Sequence, residues 1–321
     1  MPLRDAGDAS PVGIPNANGC VSRDPTPGHF QPFVQYTIMK TAIIGSLALA
    51  ALTFPVQAIS ITAAGSIYSQ NFDALASTAG TGIVWANDST LPGWSLFQRT
   101  GAAVATYNAG TGSSATGSFY SFGTSAATER ALGGVGAGTA YFGSPAVAAA
   151  AGWIAASFVN NSGGILDRFD VSWVGEQWRN GGNTTAQTMV FEYGFGASFT
   201  GVSSWSAPGG LFDFTSVVNA ATAAAVDGNA AGLVAGRGGS VTGLSWAVND
   251  TLWLRWVEKN DADSDHGLAI DNFSLTAGTA ASVPDSGTTG TLFGITLAGL
   301  VALRRQSGRA TTGQVQAGES R

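Results

Sequence analysis

Apolar and polar residues alternate with a period of two in the central part of the chain. Phe169, Val171 and Trp173 alternate with the polar Asp170 and Ser172. This period is typical of a strand that has one face against a core. The same reading applies, by alternation or by β-rich composition, to residues 66–73, 94–98, 119–122, 153–159, 189–195, 252–258 and 268–275.

Clusters of Gly, Asn, Ser and Thr separate these segments, as at 181–183 and 209–210, and such clusters mark turns. Many short strands with turns between them predict an all-β fold, a jelly-roll-like β-sandwich over residues 59–281. Residues 217–226, VVNAATAAAV, are the exception. They are compatible with a short helix or with a loop on the sandwich.

An apolar run near the start of the chain predicts a signal helix. Met39 and Lys40 begin a segment that continues as AIIGSLALAALTFP and ends with small residues at Ala58. A basic start, an apolar core and small residues before a cut are typical of a secretory signal peptide. We expect translation to begin at Met39 and signal peptidase to cut after Ala58. Residues 1–38 would then be an upstream artefact, and the alternative is a genuine disordered leader.

A second apolar run lies near the other end, inside a predicted sorting signal at residues 282–305. The uncharged stretch from Gly287 to Leu303 would span about 25 Å as a helix, and a full crossing needs about 20 apolar residues. Arg304 and Arg305 follow it and favour the cytoplasmic side of a membrane. We expect a short hydrophobic transmembrane helix that is cut away after export; the alternative is a retained membrane anchor. Residues 306–321 are expected to be a disordered tail.

The order of these parts resembles a known sorting signal. The motif Val283, Pro284, Asp285, Ser286 and Gly287, then the apolar run, then the arginine pair, is similar to the C-terminal signal of the PEP-CTERM class in its VPDSG-CTERM variant. The resemblance implies processing by an exosortase. It also implies export through the inner membrane to the cell surface, the outer membrane or the extracellular matrix. The chain departs from the usual pattern by continuing after the arginines.

Charge and cysteine content narrow the classes of function. Residues 59–282 hold 7 Lys and Arg against 15 Asp and Glu, a net charge of −8. An acidic domain argues against nucleic acid as a partner. The one cysteine, Cys20, precedes the signal peptide, so the exported domain would have no disulfide, and its length is sufficient to bury a core without one.

Two sets of acids predict a structural Ca²⁺ site. Asp261, Asp263 and Asp265 alternate in one loop, and Ca²⁺ takes six to eight oxygen ligands. The segment LAIDNFSL resembles the closing strand of carbohydrate-binding jelly rolls, in which an acidic residue helps to hold calcium. That resemblance implies Asp271 as a ligand, with Asp73 near the first strand as its partner. The alternative is that the loop acids are simply solvated.

Some of the nine tryptophans are candidates for stacking on sugars. Strand-centred Trp173 and Trp253 are expected to be core residues. Trp178, its neighbour Arg179 and Trp205 are the predicted ligand-binding residues. They favour, as an alternative function, a carbohydrate-binding module for extracellular polysaccharide.

The sequence offers no convincing catalytic set. His266 is the one histidine after the signal peptide, and no GxSxG nucleophile motif is present. A glycosidase needs only two carboxylates, so a secreted hydrolase stays open as a third reading. The preferred prediction is a secreted, non-catalytic β-sandwich for the cell surface or extracellular matrix.

Overall fold

The computed structural model describes residues 58–279, and nearly all regular structure in this range is β-strand. Three single-turn 3₁₀ helices occur at Ala140–Phe142, Phe199–Gly201 and Gly210–Phe212. The strands are β1 Ile59–Ile61, β2 Ile67–Gln70, β3 Gly80–Val84, β4 Trp94–Gln98, β5 Thr106–Gly110, β6 Ser118–Phe122, β7 Ala131–Val135, β8 Ala150–Asn160, β9 Leu166–Asn180, β10 Thr188–Phe195, β11 Phe214–Thr215, β12 Ala224–Ala225, β13 Leu233–Trp246, β14 Thr251–Lys259 and β15 Gly267–Gly278.

The strands form two sheets. The six-stranded sheet has the order β1-β8-β14-β10-β11, and β4 also pairs with β8. The nine-stranded sheet has the order β12-β9-β15-β7-β6-β5-β3, with β13 on β9 and β2 on β15. Most pairs are antiparallel; β1 with β8 and β5 with β6 are parallel.

Aromatic side chains from both sheets fill the space between them. Trp256 of β14 stacks on Trp94 of β4 at 5.7 Å between ring centroids. It also makes edge contacts with Trp173 of β9 at 5.9 Å and with Phe273 of β15 at 5.5 Å. All four rings are buried, and burial of large rings is the main driving force for closing two sheets on each other.

The predicted all-β sandwich is confirmed. Residues 217–226 contain the two-residue strand Ala224–Ala225 and otherwise irregular backbone, so the loop alternative holds and the helix does not. Within 58–279, no helix has the length and hydrophobicity to cross a membrane. The predicted leader, signal peptide, sorting signal with its apolar helix, and tail lie outside the described residues, apart from Ala58.

Candidate functional site

Three carboxylates converge on the outer face of the nine-stranded sheet. Glu176 lies on β9, Asp271 on the adjacent β15, and Glu129 just before β7. One carboxylate oxygen from each lies within 4.8 Å of the others. Asp271 pairs in register with Val174, two residues from Glu176, and side chains two apart on a strand share a face. Sheet register therefore sets two of the three positions.

Each of these carboxylates accepts a side-chain hydrogen bond from an uncharged donor. Trp178 Nε1 donates to Glu176 Oε2 at 2.8 Å. Asn272 Nδ2 donates to Asp271 Oδ2 at 2.6 Å, and Asn229 Nδ2 donates to Glu129 Oε2. The second oxygens of Asp271 and Glu129, Oδ1 and Oε1, are buried and have no hydrogen-bond partner.

Burial makes the charged forms of these acids unfavourable. Glu176 is 1% exposed and Asp271 is 2% exposed. The pKa of Glu176 is raised to about 8, chiefly by loss of solvent. The Trp178 hydrogen bond lowers it, and the neighbouring Asp271 and Glu129 add to the rise. The same loss of solvent raises the pKa of Asp271 to about 7, with Glu129 and Asp73 contributing.

A covering loop, residues 227–229, contacts Glu129 and the Trp178 ring. Asp227 and Asn229 flank Gly228, and a Cβ on Gly228 would lie 2.3 Å from the Trp178 ring. Trp178 stacks in turn on Phe122 at 6.2 Å in a small apolar cluster on this outer face. The glycine thus lets the loop approach the ring closely, while Asn229 ties the loop to Glu129.

Asp73 lies near this group but outside it. Its Oδ1 accepts the backbone N–H of Arg130 at 3.0 Å, and its Oδ2 accepts Asn71 Nδ2 at 2.6 Å. Both oxygens are therefore engaged in an exposed turn. The structure groups Asp271 with Glu129 and Glu176 rather than with Asp73.

The loop acids do not form a comparable group. Among residues 58–279, the carboxylates of Asp261, Asp263 and Asp265 do not meet as three at ligand distance. Asp265 Oδ1 instead accepts the backbone N–H of Asp261 at 2.7 Å, and burial raises the pKa of Asp265 to about 7. Asp263 and Asp265 line a cleft of about 230 Å³ together with Arg179.

Two of the three predicted ligand-binding residues, Trp178 and Arg179, are buried. Trp178 is 1% exposed and is part of the outer-face cluster, so a sugar cannot stack on it in this conformation. Arg179 is also mostly buried, with Nη1 donating to the carbonyls of Gly112 and Ser113, although it still lines the cleft. Strand β9 extends through both residues, so neither side chain lies on a loop.

Trp205 is half-buried beside the outer face of the six-stranded sheet. The Arg255 guanidinium lies 3.8 Å from the centroid of its ring and 5.0 Å from that of Trp153. Arg255 Nε also pairs with Glu192 Oε2 at 2.5 Å. One face of the Trp205 ring is therefore occupied by a cation of the chain itself.

His266 occupies a structural position. It is 1% exposed, its Nδ1 accepts the backbone N–H of Gly181 at 2.9 Å, and burial lowers its pKa. An acceptor role for Nδ1 requires the neutral ring in its Nε2-protonated tautomer. The hydrogen bond joins the start of β15 to the turn after β9.

Comparisons with known proteins identify the C-terminal signal. The model of the VPDSG-CTERM motif matches residues 282–307, which confirms the resemblance: the chain carries a sorting signal of the PEP-CTERM type. Such a signal implies export and processing by an exosortase. A search of curated proteins finds no match.

One solved structure detected is the CBM22-1 xylan-binding domain of Paenibacillus barcinonensis Xyn10C. It is 13% identical, and the alignment covers 69% of this chain and 100% of that domain with a TM-score of 0.33. A likeness of this strength does not identify a ligand.

Proposed function

We propose that the chain is an exported, non-catalytic β-sandwich protein of the cell surface or extracellular matrix. The observation that carries this proposal is the position of the sorting signal. The last strand, β15, ends at Gly278, and the matched motif begins at residue 282. A folded domain followed within a few residues by an address signal is the arrangement expected of exosortase cargo.

The composition of the domain supports this function. Residues 59–282 have a net charge of −8 and contain no cysteine. A domain of this size buries enough apolar surface to be stable without disulfides, and its negative charge favours solubility outside the cell.

The test is localisation in a host that contains an exosortase. The variants are deletion of residues 282–321 and the double substitution Pro284→Ala and Asp285→Ala, with Thr311→Ala after the arginines as the matched control. We expect the wild type and the control to reach the surface or the medium. The deletion is expected in the periplasm and the double variant in the inner membrane. Equal surface delivery of all four proteins would refute the proposal.

A second candidate is binding of extracellular polysaccharide, and the cleft lined by Arg179, Asp263 and Asp265 favours it. A charged donor and two carboxylates around a cavity of about 230 Å³ match the paired donors and acceptors of sugar hydroxyls. The cleft lies beside the loop that follows β14.

The test is a glycan array probed with the purified protein. We expect Asp263→Asn to weaken binding about tenfold, since one good charge-assisted contact is worth about 1.5 kcal/mol or more. Asparagine tolerates the positive φ of 66° at this position. Trp205→Ala is the comparison variant. If only Trp205→Ala loses binding, the ligand lies on the outer face of the six-stranded sheet and not in the cleft. An array without any hit would refute polysaccharide binding.

A further inference from the structure

Within residues 58–279, no cation forms an ion pair with the carboxylates of Glu129, Glu176 or Asp271. The buried Arg130 interacts electrostatically with Glu129, but its guanidinium donates to Ser121 instead of to these carboxylates. The described part of the chain contains two ion pairs, Arg168 with Asp170 and Arg255 with Glu192, and neither involves these three acids. Their hydrogen-bond donors are an indole and two amides, all uncharged. Burial of like charges at this distance is costly unless a positive charge joins them.

The geometry also shows oxygens available for a ligand. Asp271 is 2% exposed, yet its Oδ1 has no partner, and Glu129 Oε1 is likewise buried and free. Buried polar atoms without partners are rare in folded proteins. Because the neutral donors to Asp271 and Glu129 bind one oxygen of each carboxylate, they orient the groups and leave the other oxygen for a further contact.

We propose that Glu129, Glu176 and Asp271 form a Ca²⁺ site between β9, β15 and the segment before β7. The donor set consists only of oxygens, which hard cations prefer and which does not suit Zn²⁺. Two oxygens bound to one Ca²⁺ at about 2.4 Å lie at most about 4.8 Å apart, and the three carboxylate oxygens lie within 4.8 Å of one another. The remaining ligands would be waters or backbone carbonyls.

The same ion would hold the covering loop. Asn229 reaches Glu129 from that loop, and Gly228 packs on Trp178, whose N–H binds Glu176. Two of the proposed ligands thus contact the loop or the ring beneath it. Calcium would therefore stabilise the outer face of the nine-stranded sheet, including its connection to the loop.

The test is the thermal unfolding of the purified full-length protein in EDTA and in CaCl₂. At a concentration about 100 times the Kd, we expect the Tm to rise by about 5 to 10 °C. Asp271→Asn keeps the shape of the side chain and removes one charge. We expect this variant to fold, with a Tm in EDTA at least equal to that of the wild type, and to show no rise with calcium.

The matched control is Asp170→Asn, because Asp170 lies on β9, the strand that carries Glu176, and forms a partly exposed pair with Arg168 away from the three acids. We expect it to retain the full calcium response. The proposal is overturned if the wild type shows no shift, if Asp271→Asn responds like the wild type, or if MgCl₂ at the same concentration produces an equal shift. Mis-sorting of the Pro284 and Asp285 variant would leave these outcomes unchanged, so this inference and the proposed function fail separately.

Discussion

Two glutamates on the outer faces of the two sheets lie in contrasting environments. Glu192 on β10 pairs with Arg255 on the adjacent β14, and the arginine lies against the rings of Trp153 and Trp205. Glu176 on β9 lies beside another acid, Asp271, and its hydrogen-bond donor is an indole. Of the two glutamates, Glu192 alone forms an ion pair with a cation of the fold.

The two faces therefore differ in how the charge of an outer carboxylate is compensated. The six-stranded sheet neutralises its outer carboxylate with a cross-strand partner. The nine-stranded sheet places its outer carboxylates together, so a proton or a metal ion has to neutralise them. The contrast can be tested by changing the charge on either face.

The largest expected effect is a pH dependence that comes from the nine-stranded sheet. Burial raises the pKa of Glu176 from 4.5 to about 8 in the folded protein. Between these values the folded state retains a proton that the unfolded state has lost, so stability falls as pH rises. We expect metal-free protein to lose on the order of 3 kcal/mol between pH 5 and pH 8. Urea unfolding in EDTA measures this change.

Glu176→Gln sharpens that measurement, because glutamine has no proton to lose. The variant should retain more of its stability at pH 8 than the wild type does. An equal decline in both proteins would assign the pH dependence to other groups.

The second prediction concerns removal of the ion pair on the six-stranded sheet. Arg255→Met leaves Glu192 without its cation, and the side chains of this pair are 14% and 21% exposed. We expect a loss of about 2 kcal/mol at pH 7, since removal of one partner from a mostly buried pair is costly. The control is Arg168→Met in the pair that is 41% and 32% exposed, for which we expect less than about 1 kcal/mol. Equal losses would mean that burial of the pair is unimportant.

The third and smallest expected effect concerns the covering loop. Gly228→Ala would place a Cβ 2.3 Å from the Trp178 ring, so the loop has to move away. We expect a loss of about 1 kcal/mol from overpacking and a weaker calcium response. Gly164→Ala is the control, because a Cβ there meets nothing within 4 Å. An unchanged calcium response in Gly228→Ala would show that the loop is not coupled to the site.

Strands with strong patterns were predictable from the sequence, and glycine-rich strands were not. The 94–98 segment coincides with β4, and the 252–258 and 268–275 segments lie within β14 and β15. β13, with the sequence LVAGRGGSVTGLSW, was missed, although it pairs along most of β9. Glycine gives no apolar alternation and has a low intrinsic preference for strands, so the sequence of β13 does not predict a strand. Pairing with β9 is what holds it in the sheet.

The candidate site was predictable only in part. Asp271 was identified from its place in the closing strand, but Glu129 and Glu176 were not included. The three residues come from distant parts of the sequence, and only the pairing of β9, β15 and β7 brings them together. The burial of Glu176 with its neighbours Gly175 and Gln177, which shows that this acid needs a partner, is visible only in the folded strand.

The most direct test of the proposed site is a count of bound calcium. The full-length protein is dialysed against buffered Ca²⁺, and bound metal per chain is measured for the wild type and for Asp271→Asn. We expect the wild type to retain a calcium ion that Asp271→Asn loses, while Asp170→Asn retains it. Wild-type protein without bound calcium, or equal binding in the wild type and Asp271→Asn, would contradict it.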